Sequence, residues 1–550
     1  MSRSFPRLIR AGAVLLGGAL ILTACIRGSG TSQPQPSRSG HAAGSSAAGT
    51  PESGPLAPVG DSSPDEYAAR PIPDAQIDAA MAGLDDMIAD VLQRTGVPGM
   101  SVAVVRGSEI VYAKGFGVKE VGKTDPIDPD TVFQLASISK SIGSTCISAA
   151  VSEGLLTWSD PVVKYLPDFR LSDPEITKRL TIADLYAHRS GLPPAAGDDL
   201  EGFGFDRAYV LAHLDEFDLN PFRISYGYTN FGLTTGGEAA AAAAKRRWDE
   251  LCADMIYAPL QMTSTSSSYT HFTSRPHKAT LHFRTGDKKF EPLYTRDADA
   301  QSPAGGVSST ATDMGRWMIM NLANGKAGDR QLIKPEVLQE SHTAQVVSAP
   351  AETTSSRSRS YGYGFNVETT STGHVKLGHS GAFYVGAGTA FALVPAADVG
   401  IVALTNGSPV GAAEAVTTGF TDMVRTGAVE RDWLGFFGPI FGSLFINHSK
   451  VAEPPPADPQ PARPLEAYVG TYTNSYAGDV VIGRDGNRLT LTIGPKKLSA
   501  PLTHYDGDTF SWLAPGGNGD PVSAVTFGGG TDQARSVDIE LVQIPTFERK

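Results

Sequence analysis

Apolar residues recur at helical spacing at Ile77, Met81, Leu84, Met87, Ile88, Val91 and Leu92, which predicts a first helix beginning near Ala75. Residues 102–106 and 110–115 then read as two strands around a turn at Gly107 and Ser108, the pattern of an antiparallel hairpin. A proline-free stretch from Phe133 to Gly154 predicts a helix of buried character, and residues 161–262 read as mainly helical, with an alanine run at 239–244. Strands return near 383–387, 389–394 and 400–405. Sheet, helical middle and sheet again predict a mixed α/β (α+β) layer with a helical subdomain inserted into it.

Past that region, residues 433–446 are apolar and aromatic but too few to cross a bilayer, which takes about 20 residues. They predict a linking helix packed between domains, followed by a proline-rich linker through Pro464. From Tyr468 to Lys550, short β-rich runs such as 480–482 and 489–493 are separated by turn residues, which predicts a small β domain. A chain of 550 residues is long enough for such a division, since single cores stop growing near roughly 250–300 residues.

The N-terminus reads as an address. Arg3, Arg7 and Arg10 precede an apolar core at 11–21 and then Leu-Thr-Ala-Cys at 22–25. The tetrapeptide resembles the bacterial lipoprotein box. That resemblance implies that residues 1–24 are a signal peptide, that Cys25 is lipidated, and that the mature chain sits on the outer face of the cytoplasmic membrane. Residues 25–74, rich in Ser, Gly and Pro with almost no large apolar side chains, predict a flexible tether. As a random coil, about 45 such residues span on the order of 35–40 Å.

Charge then narrows the partners. The formal net charge of −12 falls to −15 once the three leader arginines are gone, and no local run of Lys and Arg offsets it, which argues against nucleic acid. Of the other two cysteines, Cys146 and Cys252 each lie in helix-like apolar stretches and are expected to be inert core residues. An oxidising compartment permits a disulfide between them without establishing one. No dense cluster of His, Asp and Glu suggests a metal, and no cofactor is implied.

The chemistry lies in an ordered series of motifs. Ser137 and Lys140 have the Ser-x-x-Lys spacing, which on the first turn of a helix puts Lys140 Nζ within reach of Ser137 Oγ. Alone the motif is weak, since roughly two such pairs arise by accident in a chain of this length. It is preceded by Phe133-Gln134-Leu135-Ala136 and followed by Gly154-Leu155-Leu156 with Asp160-Pro161-Val162 and Tyr165-Leu166-Pro167. Leu180-Thr181-Ile182, Leu185 and the run His188 to Pro193 come next, then Tyr228-Thr229-Asn230, Pro303-Ala304-Gly305-Gly306 and His379-Ser380-Gly381.

In this order the motifs resemble the β-lactamase-related serine hydrolases: class C β-lactamases, D,D-peptidases and related esterases. The resemblance covers residues 75–430 and implies a β-lactamase/transpeptidase-like fold, an antiparallel sheet flanked by helices. Residues 431–464 are then a linking segment, and 465–550 look like the small β domain often appended. It also implies Ser137 as nucleophile, with Lys140 and Tyr228 moving protons, and a neighbouring cation favours phenolate at Tyr228. Asn230 and His379 would orient substrate and the lysine ammonium. Gly381 and Ala382 lie on the strand whose backbone N–H, at Ala382, forms an oxyanion hole with that of Ser137. The family usually carries Lys-Thr-Gly where this chain has His379-Ser380-Gly381, which puts efficient β-lactam hydrolysis in doubt. The expected substrate is an ester, amide or D-amino-acid peptide.

Three other readings compete. Tyr472-Thr473-Asn474 repeats the Tyr-x-Asn pattern inside the β domain, where an aromatic on a strand is structural. Gly378 to Ala382 nearly matches the Gly-x-Ser-x-Gly elbow, with Ser380 as nucleophile, but strand-like sequence follows where a helix is needed, and only His448 and His504 lie downstream. A non-catalytic lipoprotein binding cell-wall peptides or a protein partner is the alternative from another class. Retention of the serine, lysine and tyrosine favours an enzyme. His188 is expected to hold the turn at Ser190 and Gly191.

Overall fold

Valines 102 and 104 pack into one core while Ala103 and Val105 pack into another, because successive side chains of a strand point to opposite faces. The same alternation separates Ile401 and Ala403 from Val402 and Leu404. Both faces of this sheet are covered, which is why its central strands read as continuous apolar runs. In the computed structural model, which describes residues 71–515, 519, 521–530 and 532–550, the sheet has eight strands. Across it they run Glu109–Gly117, Gly99–Arg106, Val399–Thr405, Ala387–Val394, Val375–Phe383, Asn366–Thr369, Arg359–Tyr361 and Val346–Ala349, all antiparallel.

The first face carries the helices Asp74–Ala82, Leu84–Thr95 and Ala412–Thr426. The single helix expected from Ala75 is two, broken at Gly83. The second face carries Ala311–Leu322 and the helix Ile138–Ser152, which is buried throughout from Ile138 to Ala150. So polar a helix can be buried only because its hydroxyls are satisfied. Ser139 Oγ accepts from the Val307 amide at 2.9 Å, Ser141 Oγ donates to the Gly364 carbonyl at 2.5 Å, and Thr145 Oγ1 accepts from Trp317 Nε1 at 3.0 Å. The inserted helical region is present as a series of short helices around one long one, Asn230–Ala244.

Several expectations need correction. The apolar residues at 383–387 do not form a strand. The strand is Val375–Phe383, and residues 384–386 are a turn at Gly386, where a Cβ would meet the His282 amide nitrogen at 2.3 Å. Phe383 and Val385 are apolar because they pack with Ala136, Leu281 and Ala298. Cys146 and Cys252 are not separate thiols; they form a disulfide joining the helices Ile138–Ser152 and Trp248–Cys252. The sequence could not show this, since 106 positions separate them and only packing of the two helices brings their Cα atoms to 5.2 Å.

The apolar segment after 431 is a helix, Trp433–Gly442, lying on Ala412–Thr426, with Trp433 Nε1 donating to Asp422 at 2.5 Å. The C-terminal domain is a closed eight-stranded antiparallel barrel, from Gly470–Asn474 to Thr546–Arg549. Its inside is filled by alternating side chains, including Tyr472, Ile482, Leu491, Phe510, Trp512 and Phe527. No helix among the described residues is long and apolar enough to cross a membrane. The leader, Cys25 and the stretch 25–70 of the expected tether lie outside the described residues.

Candidate active site

Ala136 holds the left-handed conformation at φ 48°, which a non-glycine residue adopts only against a steric cost, and it turns the chain from the short strand Phe133–Gln134 into the helix. Ser137 stands at the start of that helix and is 8% exposed, while Lys140, one turn on, is fully buried. Of these two, only the serine keeps any exposure.

Burial of an ammonium is tolerable only with acceptors around it. Lys140 Nζ has three: Ser137 Oγ at 3.1 Å, Asn230 Oδ1 at 2.7 Å and the Ala304 carbonyl at 3.0 Å. The Tyr228 ring lies below it, 4.6 Å from Nζ. Each acceptor comes from a different element, the second from the first residue of Asn230–Ala244 and the third from the helical turn Ser302–Gly305. The turn can approach because Gly237 has no Cβ, which would stand 2.7 Å from Pro303. Even so, burial pushes Lys140 down to about 7, with Asp198 acting in the opposite sense.

Tyr228 is hydrogen-bonded to Ser137, but burial pushes its hydroxyl upward, and Asp198 adds to the rise. The expected bias toward phenolate is thus reversed: a cation over the ring face does not offset the loss of water around the oxygen. At neutral pH Lys140 is the group closer to its deprotonated form.

His379 lies on the strand Val375–Phe383. Burial, then the nearby Lys140, push it down to about 3. Its Nδ1 donates to the Ser380 carbonyl at 2.6 Å, which leaves Nε2 to accept from Tyr361 Oη at 2.8 Å. Its hydrogen bonds therefore run to Tyr361 and Ser380, while Asn230 makes the contact to the lysine that had been expected of both. Gly381 lies against the nucleophile. A Cβ there would stand 2.2 Å from the Leu135 carbonyl and 3.0 Å from Ser137 N, so only glycine brings the backbone of 381 and 382 beside the Ser137 amide.

The other readings separate cleanly. Ser380 lies in mid-strand with its hydroxyl donated to Glu414, under the helix Ala412–Thr426, and no elbow is present. Tyr472 is buried in the barrel, its hydroxyl donating to the Tyr468 carbonyl at 2.7 Å. His188 does more than hold a turn. Its ring packs 4.4 Å from that of Tyr228 and 5.1 Å from that of Tyr361, and its Nδ1 accepts from the Thr229 amide at 3.3 Å, so it braces the Tyr-Thr-Asn segment.

Sequence reasoning missed Asp198. Its Oδ2 accepts from Asn230 Nδ2 at 2.8 Å, which fixes the amide so that Oδ1 faces Lys140. Burial, then Glu201, push Asp198 up to about 8. Nothing in its neighbourhood of sequence marks it, since its role depends on a partner 32 positions away.

Comparison with known proteins gives the family and the fold. The Beta-lactamase family model matches residues 84–420, more than half of the chain, and a domain of unknown function (DUF3471) matches 454–549. The unguisins hydrolase ungD' of Aspergillus campestris is 26% identical over 243 residues, 42% of this chain and 45% of that protein. Protein flp of Staphylococcus aureus is 26% identical over 196 residues, 35% and 39% of the two chains, and a beta-lactamase of Providencia stuartii is 24% identical over 262 residues, 47% and 64%. The chain thus spans less than half the length of the first two relatives. In fold it is similar to the octameric penicillin-binding protein homologue from Pyrococcus abyssi, with a TM-score of 0.54 at 19% identity over 85% of this chain and all of that one. It is also similar to the class C beta lactamase from Rhodobacter sphaeroides, with a TM-score of 0.51 at 22% identity over 64% of this chain and 99% of that one. With a serine and a sealed lysine on one helical turn, a tyrosine at the serine, and a family match from the first helices through the last strand of the sheet, the chain belongs to the Beta-lactamase family.

Proposed function

We propose that the protein is an exported serine hydrolase that cleaves an ester, an amide or a D-amino-acid peptide through an acyl-enzyme. The observation that carries this reading is Lys140: fully buried, pushed down to about 7, and 3.1 Å from the Ser137 hydroxyl. An amine that is partly neutral near pH 7 accepts a proton from an adjacent hydroxyl.

In the proposed reaction Ser137 Oγ bonds to the substrate carbonyl carbon as its proton moves to Lys140, with Tyr228 relaying it. The amides of Ser137 and Ala382 stabilise the oxyanion. Collapse of the adduct breaks the carbonyl's bond to the leaving group, which takes the proton. A water then adds to the acyl-serine by the same route and frees the acid. His379 presents no cation at neutral pH, which favours substrates without a carboxylate beside the scissile bond, such as esters. Relatives named as a hydrolase and as a beta-lactamase agree with acyl hydrolysis in general. In this reading the leader is removed and Cys25 is lipidated, which ties the enzyme by residues 25–74 to the outer face of the cytoplasmic membrane.

Intact-mass labelling with a fluorophosphonate tests the nucleophile. One adduct is expected on the unmutated protein and on Ser380→Ala, and none on Ser137→Ala. Labelling lost only in Ser380→Ala overturns the assignment, and an unmutated protein that never labels supports a binding function instead.

A further inference from the structure

The barrel grips a segment, residues 195–199, that touches both Tyr228 and Asn230. Gln543, in the barrel's last loop, makes three hydrogen bonds to residues 195–199: its Oε1 accepts from the Gly197 amide at 3.0 Å, its Nε2 donates to the Ala195 carbonyl at 2.9 Å, and its own amide donates to Asp199 Oδ2 at 2.8 Å. Tyr476, in the turn after the strand Gly470–Asn474, donates its hydroxyl to Asp199 Oδ1 at 2.5 Å. Both barrel residues thus end on a buried carboxylate of the hydrolase domain.

From that segment two short paths lead to the reacting groups. The Ala195 amide donates to the Tyr228 carbonyl at 2.9 Å, and the two side chains pack together. Asp198 Oδ2 holds the Asn230 amide, whose oxygen holds Lys140 Nζ. Asp198 Oδ1 is buried and has no hydrogen-bond partner, so the carboxylate is kept where it is by the backbone of its segment and by Asn230 alone. The barrel also touches the hydrolase domain elsewhere, Ser475 Oγ donating to Glu216 at 2.9 Å and the Trp512 ring stacking on Phe203, but those contacts lie outside residues 195–199.

We propose that the C-terminal barrel is a working part of the active site, with Gln543 and Tyr476 as positioning residues that hold Asp198 and Ala195 so that Asn230 and Tyr228 stay aligned on Lys140. This rests on the reading of Ser137 and Lys140 given above. The groups acting on Asp198 come from every side: Glu201 and Asp199 on its own helix, Lys140 on the nucleophile helix, and also Arg296, Tyr228 and Tyr476. A carboxylate at this place raises Lys140, against the burial that lowers it.

The test compares the full-length protein with Tyr476→Phe, Gln543→Ala and Asp198→Asn. It measures kcat and KM on a short-chain ester, the pH dependence of fluorophosphonate labelling, and the melting temperature. Tyr476→Phe removes a single hydroxyl and guards against simple misfolding. The expected result is a fall in kcat of tenfold or more with KM within about threefold, in all three variants. Asp198, pushed up to about 8, is mainly protonated where the lysine titrates, so in Asp198→Asn the plateau of the labelling profile falls while its acid limb stays near 7. Variants that melt earlier but keep the kcat and pH profile of the unmutated protein overturn the proposal and leave the barrel a structural appendage. Labelling that persists in Ser137→Ala instead defeats the underlying assignment of the nucleophile.

Discussion

A Cβ on Gly381 would fall 3.0 Å from the amide nitrogen of Ser137, so the strand and the nucleophile meet across a gap that no side chain can occupy. Gly381→Ala forces the strand back and pulls the Ala382 amide away from the reacting carbonyl. Loss of one oxyanion donor lowers kcat by about 10²–10³-fold, and local overpacking lowers stability by about 1–3 kcal/mol. Turnover near that of the unmutated protein in a folded Gly381→Ala variant would exclude this strand from the oxyanion hole.

In the proposed reaction Lys140, pushed down to about 7, accepts the proton, so acylation is expected to increase as pH rises through that value and to level off above it. Tyr228→Phe lowers the plateau by about 10²–10⁴-fold but leaves the limb near 7, since the limb belongs to the lysine. Single-turnover labelling across pH 5–9 checks both. A limb that disappears in Tyr228→Phe would transfer the titration to the tyrosine.

The disulfide between Cys146 and Cys252 ties the nucleophile helix to the wall behind it across a sequence separation of 106 residues. Cross-links closing loops of that size contribute about 2–5 kcal/mol, chiefly by restricting the unfolded chain. The double variant Cys146→Ser, Cys252→Ser should lose that much in urea unfolding, and dithiothreitol should remove the difference between the two proteins. Equal midpoints before reduction would show that the bond does not form in solution.

Glu414 accepts from Ser380 beneath the sheet and is pushed by burial up to about 7 from an ordinary value near 4.5. Between these values the folded chain keeps a proton that the unfolded chain has released, so stability falls as pH rises toward 7 and is level above it. Glu414→Gln removes this titration. Its melting temperature should match that of the unmutated protein at pH 4–5 and exceed it at pH 8, by the equivalent of up to about 3 kcal/mol. Parallel melting curves across that range would contradict the assignment.

The proximity of Ser137 and Lys140 was legible because three positions along a helix fix it whatever the rest of the fold does. Tyr228 and Asn230 could be told from the repeat at Tyr472 by their flanks, Ser225-Tyr226-Gly227 before and Phe231-Gly232-Leu233 after. The strand carrying His379 and Gly381 was misplaced toward 383–387, because its middle, Gly378-His379-Ser380-Gly381, is polar or glycine while the turn beyond it is apolar. The last three strands of the sheet, Asn366–Thr369, Arg359–Tyr361 and the edge strand Val346–Ala349, are short and partly exposed, so they carry little alternation to read. Asp198, Gln543 and the pairing of Cys146 with Cys252 all depend on partners distant in sequence, and no local pattern encodes such contacts.

Ala136, in the left-handed region one residue before the nucleophile, sets two opposing effects on the same methyl group. In the folded state the methyl strains the backbone by about 1–2 kcal/mol, and in the unfolded state it removes about 0.4–1 kcal/mol of conformational freedom that glycine would have. The strain is the larger, so alanine here costs stability relative to glycine. What the methyl brings in return is a narrower range of motion for the peptide bond leading into Ser137, so position 136 trades melting temperature for stiffness at the serine.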